Sequence, residues 1–329
     1  MPGTGSSTLI EIGLNAVIVA VADPKPLVLV TGSRQQDEPD SLPFGPFDPL
    51  YHRTFEIGLR AWVEEQTALR LGYVEQLYTF GDRGRDFSRE SARPHEVSVG
   101  YLALTRQTSE SEAILRSQNA RWRSWYEFFP WEDWRTGVPG EVSRHILPSL
   151  EAWANAPLPS GTPPRALSRA ERVSLAFGGA GSAWDEEKAL DRYELLYEAG
   201  LVEEALRDGR PAALSRNSLP PLGLAMMQDH RRILATAISR LRAKLKYRPV
   251  VFELMAETFT LTELQRTVEA LSGRHLHKQN FRRLVEKNDL VESTGSTSTA
   301  TGGRPAALFR FRREILKERP ALGLKVGGR

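Results

Sequence analysis

The densest run of chemically capable side chains lies between His277 and Lys287, which reads HKQNFRRLVEK. At helical spacing, Phe281, Leu284 and Val285 fall on one narrow stripe, enough to dock a helix. Lys278, Gln279, Asn280, Arg282, Arg283, Glu286 and Lys287 occupy the rest of its circumference. Guanidinium and ammonium groups can pair with guanine O6 and N7, and carboxamides with adenine N6 and N7, so long donors on a docked helix suit a major groove. Some residues later, Gly302-Gly303-Arg304-Pro305 sets Arg304 at the base of a Gly-rich tip, where it can reach a phosphate or the minor groove. A second set lies in Gly81-Asp82-Arg83-Gly84-Arg85-Asp86. Arg83 and Arg85 among glycines can clamp a diphosphate, although a solvated charged loop would read the same.

These side chains need elements to hold them. Before the basic helix, Thr260 opens an apolar-periodic run and Glu263 follows three residues later, a capping box. Leu261, Leu264, Val268 and Leu271 continue that helix and Gly273 closes it. After Asn288-Asp289 the pattern becomes strand-like. Leu290–Ser293 and Ala307–Phe311 flank the Gly, Ser and Thr-rich tip. Helix, turn, basic helix and hairpin form the layout of a winged helix-turn-helix, and predict contact with double-stranded DNA. Charge agrees. His230–Arg329 holds 21 Lys and Arg against 9 Asp and Glu, whereas the preceding residues hold 23 against 32. A basic tail end on an acidic body is the electrostatic footprint of a phosphate-binding module.

The N-terminal third has the order of a mixed domain. Thr8–Ala22 and Leu27–Thr31 read as a strand hairpin, Thr54–Leu71 as a helix ended by Gly72, and Val74–Phe80 and Val97–Thr105 as strands, an α+β arrangement. The chain has no cysteine, which excludes disulfides, Cys-based zinc sites and thiol nucleophiles. No apolar run reaches about 18 residues, and Glu11 and Asn15 interrupt the first apolar stretch where a secretory signal would be continuous. The expectation is a cytoplasmic protein with no membrane contact.

Several segments together resemble a known family. Leu42-Pro43-Phe44-Gly45, Arg60–Glu65 (RAWVEE), Gln76–Asp86 (QLYTFGDRGRD) and Ser98–Thr105 in the first part are similar to a Nudix domain. Leu219–Leu222, Leu241–Leu245 (LRAKL), Phe259–Leu264 (FTLTEL), Gln279–Leu284 (QNFRRL) and Gly302–Ala306 (GGRPA) are similar to the winged helix fused to it in the Nudix-related regulators of NAD metabolism. The resemblance covers about residues 8–105 and 219–313. It implies an α+β fold with a Nudix-like α/β/α sandwich over residues 1–106 and a linker helix with a winged helix-turn-helix over 219–329; between them the sequence itself reads as a helical insertion over 107–218. The resemblance further implies a homodimeric repressor that senses ADP-ribose or a related NAD derivative, with Arg83, Arg85 and Arg60 as ligand contacts and Lys278, Gln279, Asn280, Arg282, Arg283, Lys287 and Arg304 on DNA.

The catalytic pattern of the Nudix family is degraded. That pattern asks for Gly, five residues, Glu, seven residues, then Arg-Glu-apolar-any-Glu-Glu-any-Gly. Arg60, Trp62, Glu64 and Glu65 fit, but Pro46, His52, Ala61 and Thr67 stand where Gly, Glu, Glu and Gly belong. Half of the carboxylates that would hold a divalent cation against a pyrophosphate are missing. Glu64 and Glu65 remain as a weak Mg²⁺ site, or simply as surface acids with Arg60 at i,i+4 from Glu64. The expectation is ligand binding without a required cofactor and with crippled hydrolysis. An active Nudix pyrophosphohydrolase acting on ADP-ribose-like nucleotides is the alternative, and a protein-interaction adaptor a third reading.

Residues 107–218 depart from the family. Trp122, Trp125, Tyr126, Phe128, Phe129, Trp131 and Trp134 crowd one stretch, suited to stacking bases, sealing a partner surface or docking the insertion on the core. Asp229–Tyr247 reads as a long basic helix with Ile233, Ala237, Leu241 and Leu245 as its apolar stripe, joining the two halves and, in the family, supporting dimerisation.

Overall fold

The computed structural model describes residues 10–22, 24–32, 38–82, 95–158, 166–179, 181–298 and 305–312. Six strands build the main sheet: β1 (Ile10–Ala22), β2 (Lys25–Thr31), β3 (Phe44–Pro46), β4 (Tyr73–Phe80), β5 (His95–Leu104) and β6 (Ala120–Ser124). The strand order is β4-β5-β1-β2-β6, with the short β3 also paired to β1. β1 runs parallel to β5 and antiparallel to β2 and β3. The sheet is covered on both faces, so β1 is almost continuously apolar rather than alternating with polar residues.

The alternation of side chains along β1 divides the core. Leu14, Ala16 and Ile18 face one layer with Leu29, Val99, Tyr101 and Ala103, against Leu59 and Val63 of α1 (Phe55–Thr67). Val17 and Val19 face the other with Val28, Val30, Leu102 and Leu104. The helix α1 stops five residues before the expected Gly72. Thr67 Oγ1 donates back to the Val63 carbonyl at 2.6 Å and accepts from Leu69 N–H, and Ala68 takes a left-handed φ of 55°. That local competition for backbone groups ends the helix.

After β5 the chain forms α2 (Ser109–Ser117), then β6, which pairs with β2, so the sheet continues beyond residue 106, where the sequence placed the domain's end. Helices α3 (Trp125–Phe128), α4 (Leu147–Asn155), α5 (Arg169–Phe177), α6 (Ala189–Glu198), α7 (Glu203–Arg207) and α8 (Pro211–Leu214) follow. Of the aromatic run, Trp125, Phe128, Phe129 and Trp131 are fully buried. Their rings dock the insertion and are not offered to bases or partners. The side chain of Ser168 caps α5 in a capping box with Glu171.

The helix α9 (His230–Leu245) is more than a linker. It packs on β1, β4 and β5 and forms the second layer of the sandwich, opposite α1. The expected stripe is buried, and so are Leu234, Ile238, Arg231 and Arg242. Helices α10 (Leu261–Ser272) and α11 (Lys278–Lys287), with the hairpin β7 (Val291–Ser298) and β8 (Ala306–Phe311), complete the winged helix. β7 runs five residues further than expected. Gly295, at φ 77°, accommodates the register shift between Ser293 and Thr297 that lets pairing resume.

Candidate nucleic-acid interface and ligand face

Local chemistry fixes α10 at both ends. Thr260 Oγ1 accepts from Glu263 N–H at 3.2 Å and Thr260 N–H donates to Glu263 Oε2 at 2.7 Å. Gly273 adopts φ 70°, and its N–H donates to the Glu269 carbonyl. A side chain there would run into the Glu132 carbonyl oxygen, so the turn needs glycine for space as well as for backbone. A short turn leads into α11, which sinks Phe281 and Val285 into the core.

The outer side of α11 is chemically unspent. Lys278, Gln279, Asn280, Arg282, Arg283 and Lys287 are all exposed. Among the described residues none of their side chains makes a hydrogen bond or ion pair. All six carry hydrogen-bonding side chains, long and flexible in all but Asn280, and Glu286 supplies an opposing charge on the same helix. The wing differs. Arg310 pairs with Glu292 at 2.5 Å and Arg312 with Asp289, so these two cations are already engaged within the domain. The wing is tied down by backbone bonds between Phe259 and Phe309, at 2.9 and 2.8 Å, and by Phe311 stacked on Phe252 at 4.2 Å. Arg304 lies outside the described residues.

On the sandwich, the remnants of the Nudix pattern serve the helix itself. Arg60 bonds Glu56, not Glu64, at 3.0 and 2.8 Å, and also reaches the carbonyls of Leu71 and Gly72. Glu64 pairs with Arg70 at 2.9 Å, and Glu65 is exposed. Trp62 Nε1 donates to the Pro46 carbonyl, and the Gln66 carboxamide bonds both backbone groups of Phe44. Trp62 lies so close over Gly45 that no side chain fits there. Among the described residues no three His, Asp or Glu side chains converge. The acids present therefore do not fit a firmly held divalent cation, which needs several oxygens at once. Arg83 and Arg85 lie outside the described residues. The residue before them, Asp82, bonds Arg232 of α9 at 2.5 Å, and Arg232 also holds Glu194 and Asp229. Burial works against the Arg232 charge, but these carboxylates outweigh it and raise its pKa.

Three buried polar contacts escaped the sequence reading. His230 Nδ1 accepts from Leu42 N–H at 3.0 Å, tying the segment before β3 to the start of α9. Burial, then the Arg207 charge, lowers its pKa to about 3, so the ring is neutral. Arg231 bonds the carbonyls of Phe128 and Leu222 and the Glu204 carboxylate. Glu132 bridges Arg192, at 2.5 and 2.8 Å, and Arg242, with all three side chains fully buried. Burial alone would raise the Glu132 pKa, but the two guanidinium charges outweigh it and lower it. The available signal was on α9, where Arg231 and Arg242 are three turns apart on the face that also carries Leu234 and Ile238.

Residues 251–311 match the family model of the NrtR DNA-binding winged helix domain. That segment is a winged helix of the NrtR type. Among characterised proteins, the ADPR responsive transcriptional repressor NtrR of Acinetobacter baylyi is 41% identical over 90 residues, 27% of this chain. That match spans 36%, about a third, of the relative's own length. Shewanella oneidensis NrtR complexed with a 27mer DNA has a similar fold, with TM-score 0.53 and 21% identity over 93% of this chain and 95% of that one. The same Shewanella protein without DNA gives 0.51 and 21% over 92% and 94%. In this chain the NrtR-type winged helix is joined to its sandwich through the insertion as well as through α9.

Proposed function

We propose that this chain is a transcriptional repressor of genes of NAD metabolism that binds double-stranded DNA and responds to ADP-ribose or a related NAD derivative. The observation that carries the reading is the outer face of α11, where six residues with hydrogen-bonding side chains stand exposed and uncommitted on an NrtR-type winged helix. The Acinetobacter relative described as ADPR responsive and the Shewanella relative crystallised with DNA support it. Lys278, Gln279, Asn280, Arg282, Arg283 and Lys287 contact the duplex, and Arg304 the backbone or minor groove. The protein works in the cytoplasm as a homodimer, with two recognition helices meeting successive major grooves about 34–36 Å apart.

The effector binds the sandwich, with Arg83 and Arg85 on its diphosphate. Arg60 joins them only by giving up Glu56. Binding favours one arrangement of the paired winged helices, and its effect on DNA equals its difference in affinity for the two arrangements. No cofactor is required. The test is selection of duplexes from a random library by the purified protein, with and without ADP-ribose. Enrichment of a two-half-site duplex, reduced by ADP-ribose, is expected. Equal recovery of all sequences removes the DNA assignment, and enrichment indifferent to ADP-ribose removes the effector.

A further inference from the structure

The insertion grips the winged helix at the C-terminal end of α10 and the turn that follows it. Trp134 N–H donates to the Gly273 carbonyl at 2.8 Å and Tyr126 Oη to the Ala270 carbonyl at 2.7 Å. Arg274, which follows Gly273 in the turn, donates to the Trp184 carbonyl and pairs with the buried Glu186 carboxylate at 2.8 Å. Its guanidinium also lies 5.0 Å from the centre of the Trp184 ring. From the opposite side Glu269 Oε1 accepts Leu276 N–H, and Gln265 Nε2 donates to the Leu276 carbonyl, both at 2.8 Å. The turn is thus held by both α10 and the insertion.

This matters because α11 has little else to aim it. His277, at its N-cap, makes no side-chain capping bond, and only Phe281 and Val285 are buried. A ten-residue helix docked by Phe281, Val285 and the half-buried Leu284 takes much of its direction from the backbone that feeds it. Base reading through bidentate pairs tolerates little misdirection, whereas contact with phosphates along a groove tolerates more.

We propose that Arg274, through Trp184 and Glu186, is a positioning residue for sequence-specific DNA binding, and that the insertion thereby sets operator preference without touching DNA. The inference rests on the DNA-binding reading above. It assigns a task to a segment some 90 residues away in sequence from the turn it holds.

Full-length Arg274→Ala, Arg274→Lys, Glu186→Gln and the double variant Arg274→Ala with Glu186→Gln test it. The probes are a duplex enriched by selection with the wild type and a random duplex of equal length, each titrated at several salt concentrations beside thermal unfolding. Arg274→Ala and Glu186→Gln should each weaken the selected duplex on the order of tenfold, and the double variant no more than Arg274→Ala alone. Random-duplex affinity and the salt slope should stay at wild-type values, and Arg274→Lys should recover part of the loss. A salt slope reduced by about one in Arg274→Ala would make this arginine a phosphate contact and overturn the proposal. A lower melting temperature with unchanged preference between the duplexes would make the contacts merely structural, and overturn it too. A wild type that prefers no duplex removes the DNA reading itself, and the positioning role falls with it.

Discussion

At the scale of single residues, two kinds of arginine decide how this protein behaves. Those on α11 are exposed and unpartnered, so substituting them leaves no buried group stranded. Arg282→Ala should keep the melting temperature while weakening a selected duplex by about 1–3 kcal/mol if the side chain reads a base. An unchanged gel-shift titration would reject that assignment. Arg192 and Arg242 are the opposite kind, fully buried around Glu132. Glu132→Gln leaves two guanidinium groups short of charge, and an unfolding free energy lower by about 3–5 kcal/mol is expected in urea. His230 adds a pH dependence. Its folded pKa of about 3 lies below the ordinary value of 6.5, so the unfolded chain binds the proton first. Its contribution is complete above pH 6.5 and is lost as pH falls towards 3, at up to about 1.4 kcal/mol per pH unit. His230→Asn should flatten stability against pH across that window. A slope identical to wild type would mean that the ring is solvated.

At the scale of elements, what could be read from the sequence was what neighbours in sequence decide. The Thr260–Glu263 capping box and the Gly273 stop are three-residue and one-residue signals, and α10 begins and ends where they put it. The docked face of α11 follows from the spacing of Phe281, Leu284 and Val285. The end of α1 was missed because Thr67 outcompetes a glycine five residues on, and such back-bonding has no spacing signature. The ion triad was illegible for a different reason: its partners are 60 and 110 residues apart, and each alone looks like a surface charge. Gly273→Ala should cost more than the roughly 1–2 kcal/mol usual for an L residue in a left-handed position, because the new methyl also meets the Glu132 carbonyl. Thermal unfolding measures that loss. A melting temperature equal to wild type would show that the insertion yields at this point.

At the scale of the whole molecule, one buried apolar cluster runs from Val17 and Leu102 of the sheet, through Trp131, Tyr193 and Ile238, to Phe281 and Leu290 of the winged helix. Cooperative unfolding follows contiguous cores. Tryptophan fluorescence and far-ultraviolet circular dichroism should therefore report coincident transitions. Two separated melts would show that sandwich and winged helix are independent. On the sandwich, where no three acids converge among the described residues, incubation with ADP-ribose and Mg²⁺ is expected to release no AMP at an ordinary enzymatic rate, as followed by chromatography. Turnover abolished by Glu64→Gln would restore the hydrolase reading.

The placement of α9 also bears on how such a chain can be recombined. One helix is at once the floor of the sandwich and the shelf on which the winged helix rests. Among the described residues, one continuous apolar cluster joins them, leaving no seam along which a protease or a gene-fusion designer could part them cleanly. A chimera made by grafting residues from Val250 onward onto a foreign sensor would arrive without its shelf. To transplant the winged helix intact, the graft must carry α9 and the insertion that braces it.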